Sequence, residues 1–246
     1  MSIYVIGSKK GLGKYLIENI TSVAINRNNF NKIKESKNNI FIICANNKNK
    51  YPQLSSVYDF YLDNIDLIKK ISNMKHDYII YMSSIEVYNQ HGQTENTDIT
   101  CNFHNPYSLS KLIAENIIIN NSKKYSILRL SALLGKYSNN LISKLIKNNI
   151  KSTTLSKNSS FNYILYADVL NLIRELLTSK KKGIYNLISN NNITLEDAVS
   201  LTNKKIKFGK YKYLTYRTSN EKIKKISKYF NKSSRRNLKL FINDYY

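Results

Sequence analysis

The sequence predicts an α/β fold built on a doubly wound parallel sheet. Short apolar runs alternate with helical patterns of ten or more residues along the chain. That alternation implies parallel strands joined by right-handed crossovers. The runs are apolar throughout rather than at every second residue, as a sheet covered on both faces requires.

Ile3 to Ile6 reads as a buried strand ended by Gly7, and a helical pattern runs from Leu12 to about Thr21. Val23 to Ile25 is a second short strand, and Phe30 to Lys37 is helical or irregular. The stretch from Arg27 to Asn39 is short, so one strand expected at this point of such a sheet is missing. Asn39 to Ala45 is a third strand; the polar stretch 46 to 56, with Pro52, is a loop. Val57 to Met74 is amphipathic and helical, Tyr78 to Met82 is a strand, and 89 to 105 is a polar loop. Pro106 suits the first turn of a helix reaching about Asn121. Ser126 to Leu130 is a strand, Ile142 to Ile146 and Ala167 to Leu177 are helices, Gly183 to Ile188 is a strand, and Leu195 to Thr202 a short helix. The tail from 205 is basic and mixed, with a helix near Glu221 to Phe230.

The composition bounds the function. With 246 residues, 42% of them hydrophobic, and only 7 Gly and 2 Pro, the chain can bury a large core without staples. No apolar run reaches the ~18 residues of a membrane helix. Strand-like residues begin at Ile3, which leaves no room for a signal peptide, and two cysteines make no disulfide framework; both point to the cytoplasm. The net charge of +23 invites a nucleic-acid partner, but its lysines are spread over the chain and arginine is scarce. Most of this charge reads as solvated surface, and the cluster Lys180 to Lys182 as a helix end. His76, His91 and His104 lack metal-ligand spacing and read as loop or surface residues, so no metal is expected. Cys44 reads as core, Cys101 as an unreactive loop residue, and Arg235-Arg236 as a solvated pair.

Two places carry chemistry. Gly7, Lys10, Gly11, Leu12 and Gly13 fall between the first strand and the first helix. Glycines let a backbone turn tightly and approach a pyrophosphate, which the positive end of the helix then attracts. Asn26-Arg27 closes the second strand with no acidic residue nearby in sequence. Arg27 suits the 2′-phosphate of NADP, where a carboxylate would suit the ribose of NAD. Further on, Ser83-Ser84 ends a strand and Tyr107 opens a helix with Lys111 one turn later on the same face. A nearby cation lowers a phenol from its ordinary pKa of about 10, so Tyr107 can move a proton at neutral pH. A serine hydroxyl can orient the same substrate oxygen, and a nicotinamide supplies the hydride.

In this order the motifs resemble the extended short-chain dehydrogenase/reductase superfamily, the NAD(P)-dependent sugar epimerase/dehydratase family. The matches are Gly7 to Gly13, Ile42 to Ala45, Asn64, Ser83-Ser84-Ile85-Glu86-Val87-Tyr88, Asn105-Pro106-Tyr107-Ser108-Leu109-Ser110-Lys111, Leu128-Arg129, Asn162 to Val169 and Gly183 to Leu187. The resemblance implies a Rossmann-type fold over residues 1–188, with a substrate-loop insertion at about 134–160, and a small, reduced C-terminal substrate region at 189–246. It implies catalytic roles for Ser84, Tyr107 and Lys111, with Lys111 also on the nicotinamide ribose. It places Gly7, Lys10, Gly11, Leu12, Gly13, Asn26, Arg27, Cys44, Ala45, Tyr107 and Lys111 around NADP, with NAD as the alternative. It places Ser84, Glu86 and Ser131 on the substrate side, facing a sugar or nucleotide-sugar. It also implies a homodimer through helices 57–74 and 107–121.

The chain departs from the pattern at four places. Lys10 stands for the middle glycine of the loop. Ala132 stands for an asparagine and Phe161 for an arginine that hold the nucleotide. Ile85 stands for the acid that dehydratases carry after the catalytic Ser or Thr. Carbonyl reduction is therefore favoured over epimerisation. A non-catalytic NAD(P)-binding regulator is the second reading, and a basic nucleic-acid-associated protein the third.

Overall fold

The computed structural model describes residues 1–101, 105–148 and 150–245. In chain order these hold β1 (Ile3–Ile6), α1 (Gly11–Asn19), β2 (Val23–Ile25), β3 (Ile40–Ile43), α2 (Val57–Tyr61), α3 (Leu67–Asn73), β4 (Tyr78–Ser84) and α4 (Pro106–Asn121). Then come β5 (Tyr125–Leu130), β6 (Ala132–Leu134), α5 (Leu141–Asn148), β7 (Ser160–Phe161), β8 (Tyr163–Leu165), α6 (Tyr166–Ser179), β9 (Gly183–Leu187), β10 (Ile193–Thr194), α7 (Leu195–Ser200), α8 (Glu221–Lys224) and α9 (Ser234–Tyr245). A π-helical turn, Leu62–Asp66, joins α2 to α3, so the single helix expected over 57–74 is present with a bulge in its middle.

Six parallel strands form one sheet in the order β2-β1-β3-β4-β5-β9. Residues 27–32 make a 3-10 turn between β2 and β3, and no strand lies there among the described residues, so the sheet ends at β2. The apolar strands are covered on both sides. Val5, Ile42, Ile80, Met82 and Leu128 pack with Leu12 and Leu16 of α1 and Val169, Leu172 and Ile173 of α6. Ile6, Phe41, Ile43, Ile79, Tyr81 and Ile127 pack with Ile68 and Ile71 of α3 and Ala114 and Ile118 of α4. This is the doubly wound arrangement the unbroken apolar runs predict.

The C-terminal part is more structured than its sequence suggests. Two small sheets, β6 with β8 and β7 with β10, draw apolar residues of 132–165, 193–208 and 238–242 into a third core around Tyr163, Leu195, Leu238 and Phe241, while Ile223 and Phe230 pack with the sheet. Helix α9 lies where the sequence reading gives only a basic, mixed tail, although Leu238, Phe241, Ile242 and Tyr245 stand at helical spacing; Leu238 and Phe241 are buried and anchor it. Of the helix expected over 221–230, α8 covers only its start, and a 3-10 turn at Lys228–Phe230 its end. Lys232 ties this tail to α6 through Asp168, at 2.7 Å. His104 lies outside the described residues, and Arg235 and Arg236 are exposed on α9. Lys180 takes a left-handed backbone at the end of α6 and pairs with Asp77. No helix among the described residues is long and apolar enough to cross a membrane.

Candidate functional site

The first loop is shaped by its glycines. Gly7 has φ +89°, and a Cβ there would stand 2.5 Å from the backbone nitrogen of Ala45. A Cβ on Gly13 would stand 2.2 Å from the Gly7 carbonyl oxygen and 3.3 Å from the Cys44 Cβ. Gly11 has φ +61°, a conformation that glycine adopts without strain. The loop therefore lies directly against the end of β3, where Cys44 and Ala45 are only partly buried. Lys10 stands at the N-terminal cap of α1 with no side-chain cap on the first turn. The amide groups of that turn, with the helix dipole behind them, are of the kind that can receive an anion. The residues present thus fit a dinucleotide pyrophosphate, even with Lys10 in a glycine's place. Burial pushes the Cys44 thiol up to about 12, so it stays protonated and unreactive.

After β2 the fold adds a partner that the sequence does not show. No acidic residue is near Arg27 in sequence, yet the fold brings Asp63 from the π-helical turn, and the two side chains form an ion pair. Arg27 is otherwise 80% exposed. Asn26 is occupied locally: its side chain accepts the backbone N–H of Asn28 at 2.9 Å and caps the 3-10 turn. Asn64 pins the loop after β3, accepting from the Asn47 amide at 2.8 Å and donating to the Asn47 carbonyl at 3.1 Å.

The second cluster lies at the C-terminal ends of β4 and β5, where open α/β sheets bind ligands. Asn105 caps α4 by accepting the Ser108 N–H at 3.0 Å, and Pro106 fills the first turn. This fixes Tyr107 over the end of β4, where its phenol is a neighbour of the Ser84 hydroxyl. The Ser84 hydroxyl also accepts the backbone N–H of Glu86 at 3.2 Å. Lys111 is buried, and its ammonium donates to the Met82 carbonyl at 2.8 Å. Its Nζ lies 4.7 Å from the Tyr81 ring centre and 5.8 Å from that of Tyr107. Ser131 sits buried past the end of β5 with its hydroxyl unpartnered.

The electrostatics differ from the simple expectation. Burial and then the Glu86 charge push the Tyr107 phenol up to about 12, against the smaller lowering by Ser84. Lys111 is not what moves it, because burial also drives Lys111 down to about 7 and weakens it as a cation. Tyr107 is therefore protonated at neutral pH.

Glu86 is the hub of a contact that joins three distant parts of the chain. Lys50, from the loop after β3, pairs with it at 2.6 Å, and the Tyr213 hydroxyl reaches it at 3.4 Å. Lys50 also lies 5.4 Å over the Tyr213 ring, which stacks on Phe161 at 5.2 Å. Lys50 and Tyr213 have no signal in the sequence, since they meet Glu86 only through the fold. Behind the site, Ser83, Glu115, Arg129, Tyr88 and Asn186 form a buried polar chain. The signatures contain most of these residues, but not the information that they touch.

The comparisons decide the family. The model of the NAD dependent epimerase/dehydratase family matches residues 25–187. The chain belongs to that family. The match begins after the glycine loop, the part where the sequence departs from the usual spacing. Among solved structures, the chain resembles dTDP-4-dehydrorhamnose reductase from Bacillus anthracis, in complex with NADP, at TM-score 0.84 and 18% identity, covering 99% of this chain and 100% of that one. It resembles a UDP-glucuronic acid 4-epimerase mutant from Bacillus cereus, in complex with a fluorinated UDP-sugar and NAD, at TM-score 0.76 and 15% identity over 100% of both chains. It also resembles dTDP-glucose 4,6-dehydratase from Bacillus anthracis, in complex with NAD, at TM-score 0.73 and 20% identity, over 100% of this chain and 96% of that one. These identities speak for the fold, and the Rossmann-type expectation is borne out. A search of curated proteins found no match.

Proposed function

We propose that this family member is an NAD(P)-dependent oxidoreductase that reduces the carbonyl of a sugar or nucleotide-sugar, with epimerisation as the alternative reaction. One observation carries the reading: the Tyr107 phenol and the Ser84 hydroxyl are neighbours at the strand ends, beside a glycine cradle for a dinucleotide. Gly7, Gly11, Leu12 and Gly13 would hold the pyrophosphate, with Lys10 adding charge, and Cys44 and Ala45 would line the floor. When bound, the cofactor supplies or accepts a hydride. Ser84 orients the substrate oxygen, and Tyr107 gives it a proton. A phenol that stays protonated at neutral pH suits donation, which supports reduction. Ile85 offers no acid for a dehydration, and Glu86 is paired with Lys50. Ser131, Glu86, Tyr213 and Phe161 would border the sugar.

We further propose NADP over NAD, because Arg27 follows just after β2, and a homodimer through α2–α3 and α4, because Val57, Tyr58, Tyr61, Ile113 and Ile119 stay exposed there. Thermal-shift titrations with NADPH and NADH test the cofactor, since binding to the native state raises the melting temperature. A larger shift with NADPH supports the Arg27 reading; equal shifts mean that Asp63 keeps Arg27. Tyr107→Phe should lower turnover of nucleotide-linked keto-sugars by roughly 10²–10⁴-fold and leave the NADPH shift unchanged. NADPH binding without turnover on any such sugar selects the non-catalytic regulator instead.

A further inference from the structure

Glu115 lies one turn beyond Lys111 on the inner face of α4 and is buried. The proton transfer proposed above does not use it, and an isolated carboxylate in such a place is strongly disfavoured. Here it is fully engaged. Arg129 of β5 donates to it from Nε at 3.1 and 3.2 Å and from Nη2 at 2.7 Å. Ser83, the neighbour of Ser84, donates its hydroxyl as well. The other end of the guanidinium turns away: Nη1 donates to the Tyr88 hydroxyl at 2.8 Å, which donates to Asn186 Oδ1 at 2.7 Å.

Lys111 stands one turn before this carboxylate on the same buried face of α4, with its ammonium on the Met82 carbonyl. Burial weakens its charge most. Glu115 is the largest influence in the other direction, Cys44 adds to it, and Lys48 from the loop after β3 opposes it. Tyr81 of β4 and Tyr107 of its own helix offer ring faces. Glu115 in turn faces Arg129, Ser83 and Tyr81. Without a fixed negative group, a lysine so buried would become neutral and donate more weakly to the Met82 carbonyl.

We propose that Glu115, clamped by Arg129 and Ser83, is a positioning residue that keeps the Lys111 ammonium charged and aimed at the Met82 carbonyl. This rests on the reading that Lys111 works in the site, but its first test needs no substrate. Protein labelled with 13Cε-lysine is titrated by NMR, and Lys111→Arg identifies the resonance. The double variant Glu115→Gln/Arg129→Gln removes the carboxylate without leaving Arg129 buried and unpaired. In it the Lys111 midpoint should fall by about one unit or more, a roughly tenfold loss of charged lysine above the midpoint. Glu115→Asp, which keeps the charge, should restore most of that shift; a residue needed only for packing would not move the midpoint at all. An unchanged midpoint in the folded double variant overturns the proposal. Should that variant not fold, the wild-type titration decides: a midpoint above about 6.5 supports the proposal, and one at or below it overturns it, because lysines buried without a counter-charge titrate near ~5–6. NADPH thermal shifts run alongside. Their absence in the wild type would overturn the dinucleotide reading and leave the lysine result standing.

Discussion

The six-stranded sheet is joined backbone to backbone, whereas the C-terminal layer is joined largely by short polar side chains. In the sheet, each parallel strand pairs with the next through main-chain groups that any residue but proline supplies. In the C-terminal layer the strands are two or three residues long, and amides fill the gaps. Asn162 accepts from the Ser189 N–H at 2.9 Å and donates to its carbonyl at 3.1 Å. Asn237 donates to the Tyr163 carbonyl at 2.8 Å, and Ser234 accepts the Tyr163 N–H at 3.0 Å. Asn220 donates to the carbonyls of Ile188 and Phe230 at 3.2 and 3.1 Å. The difference shows where each half is vulnerable. The sheet is sensitive where a side chain must be absent, and the C-terminal layer where a particular side chain must be present.

Three substitutions sharpen or break that contrast. The largest effect is expected at Gly13→Val in the sheet half. Its new Cβ would meet the Gly7 carbonyl at 2.2 Å, so the loop must move. Overpacking of this kind costs about 3 kcal/mol, read as a lower urea midpoint, and cofactor binding should be lost with it. A loss below ~1 kcal/mol would mean that the loop adapts, and the contrast would fail on that side. Next is Asn220→Ala in the C-terminal layer. It leaves two buried carbonyls without a donor and should cost about 2 kcal/mol by the same assay. A neutral result would show that the amides decorate that layer rather than hold it.

The smallest effect is expected at Asp77, at the opposite end of the sheet, where Lys180 and Lys124 pair with it near the surface. Asp77→Asn should cost about 0.5–1 kcal/mol at pH 7. Lys180 first, and then Lys124, hold the Asp77 carboxyl below its ordinary value. A carboxyl lowered in the folded state stabilises above its unfolded value of about 3.9 and loses that contribution as pH falls through the lower folded value. The difference between wild type and Asp77→Asn should therefore be constant at neutral pH and vanish in acid. A difference that instead grew toward acid would contradict the lowered carboxyl.

The legible parts of the site are the local ones. Tyr107 and Lys111 share a helix turn, the glycines share one loop, and Ser84 ends a strand whose apolar run is plain in the sequence. What was not legible joins distant residues. Asp63 reaches Arg27 across 36 positions of the chain. Tyr213 reaches Glu86 across 127. The two-residue strands are too short to show a period, and they form because the third core gives Ile193 and Phe161 somewhere to pack; α9 does carry one, with Leu238, Phe241, Ile242 and Tyr245 at helical spacing.

By itself the sequence determined the doubly wound sheet, the missing strand after β2, the glycine cradle and the order of Ser84, Tyr107 and Lys111. These follow from local periodicity and from glycine's freedom at positive φ, properties that act over a few residues. The tertiary structure alone decided the electrostatics: Tyr107 pushed up by burial and then Glu86, Lys111 pushed down by burial, and Glu86 paired with Lys50. Ionisation depends on which groups exclude water and which charges stand within a few ångströms, and only the folded chain sets those distances.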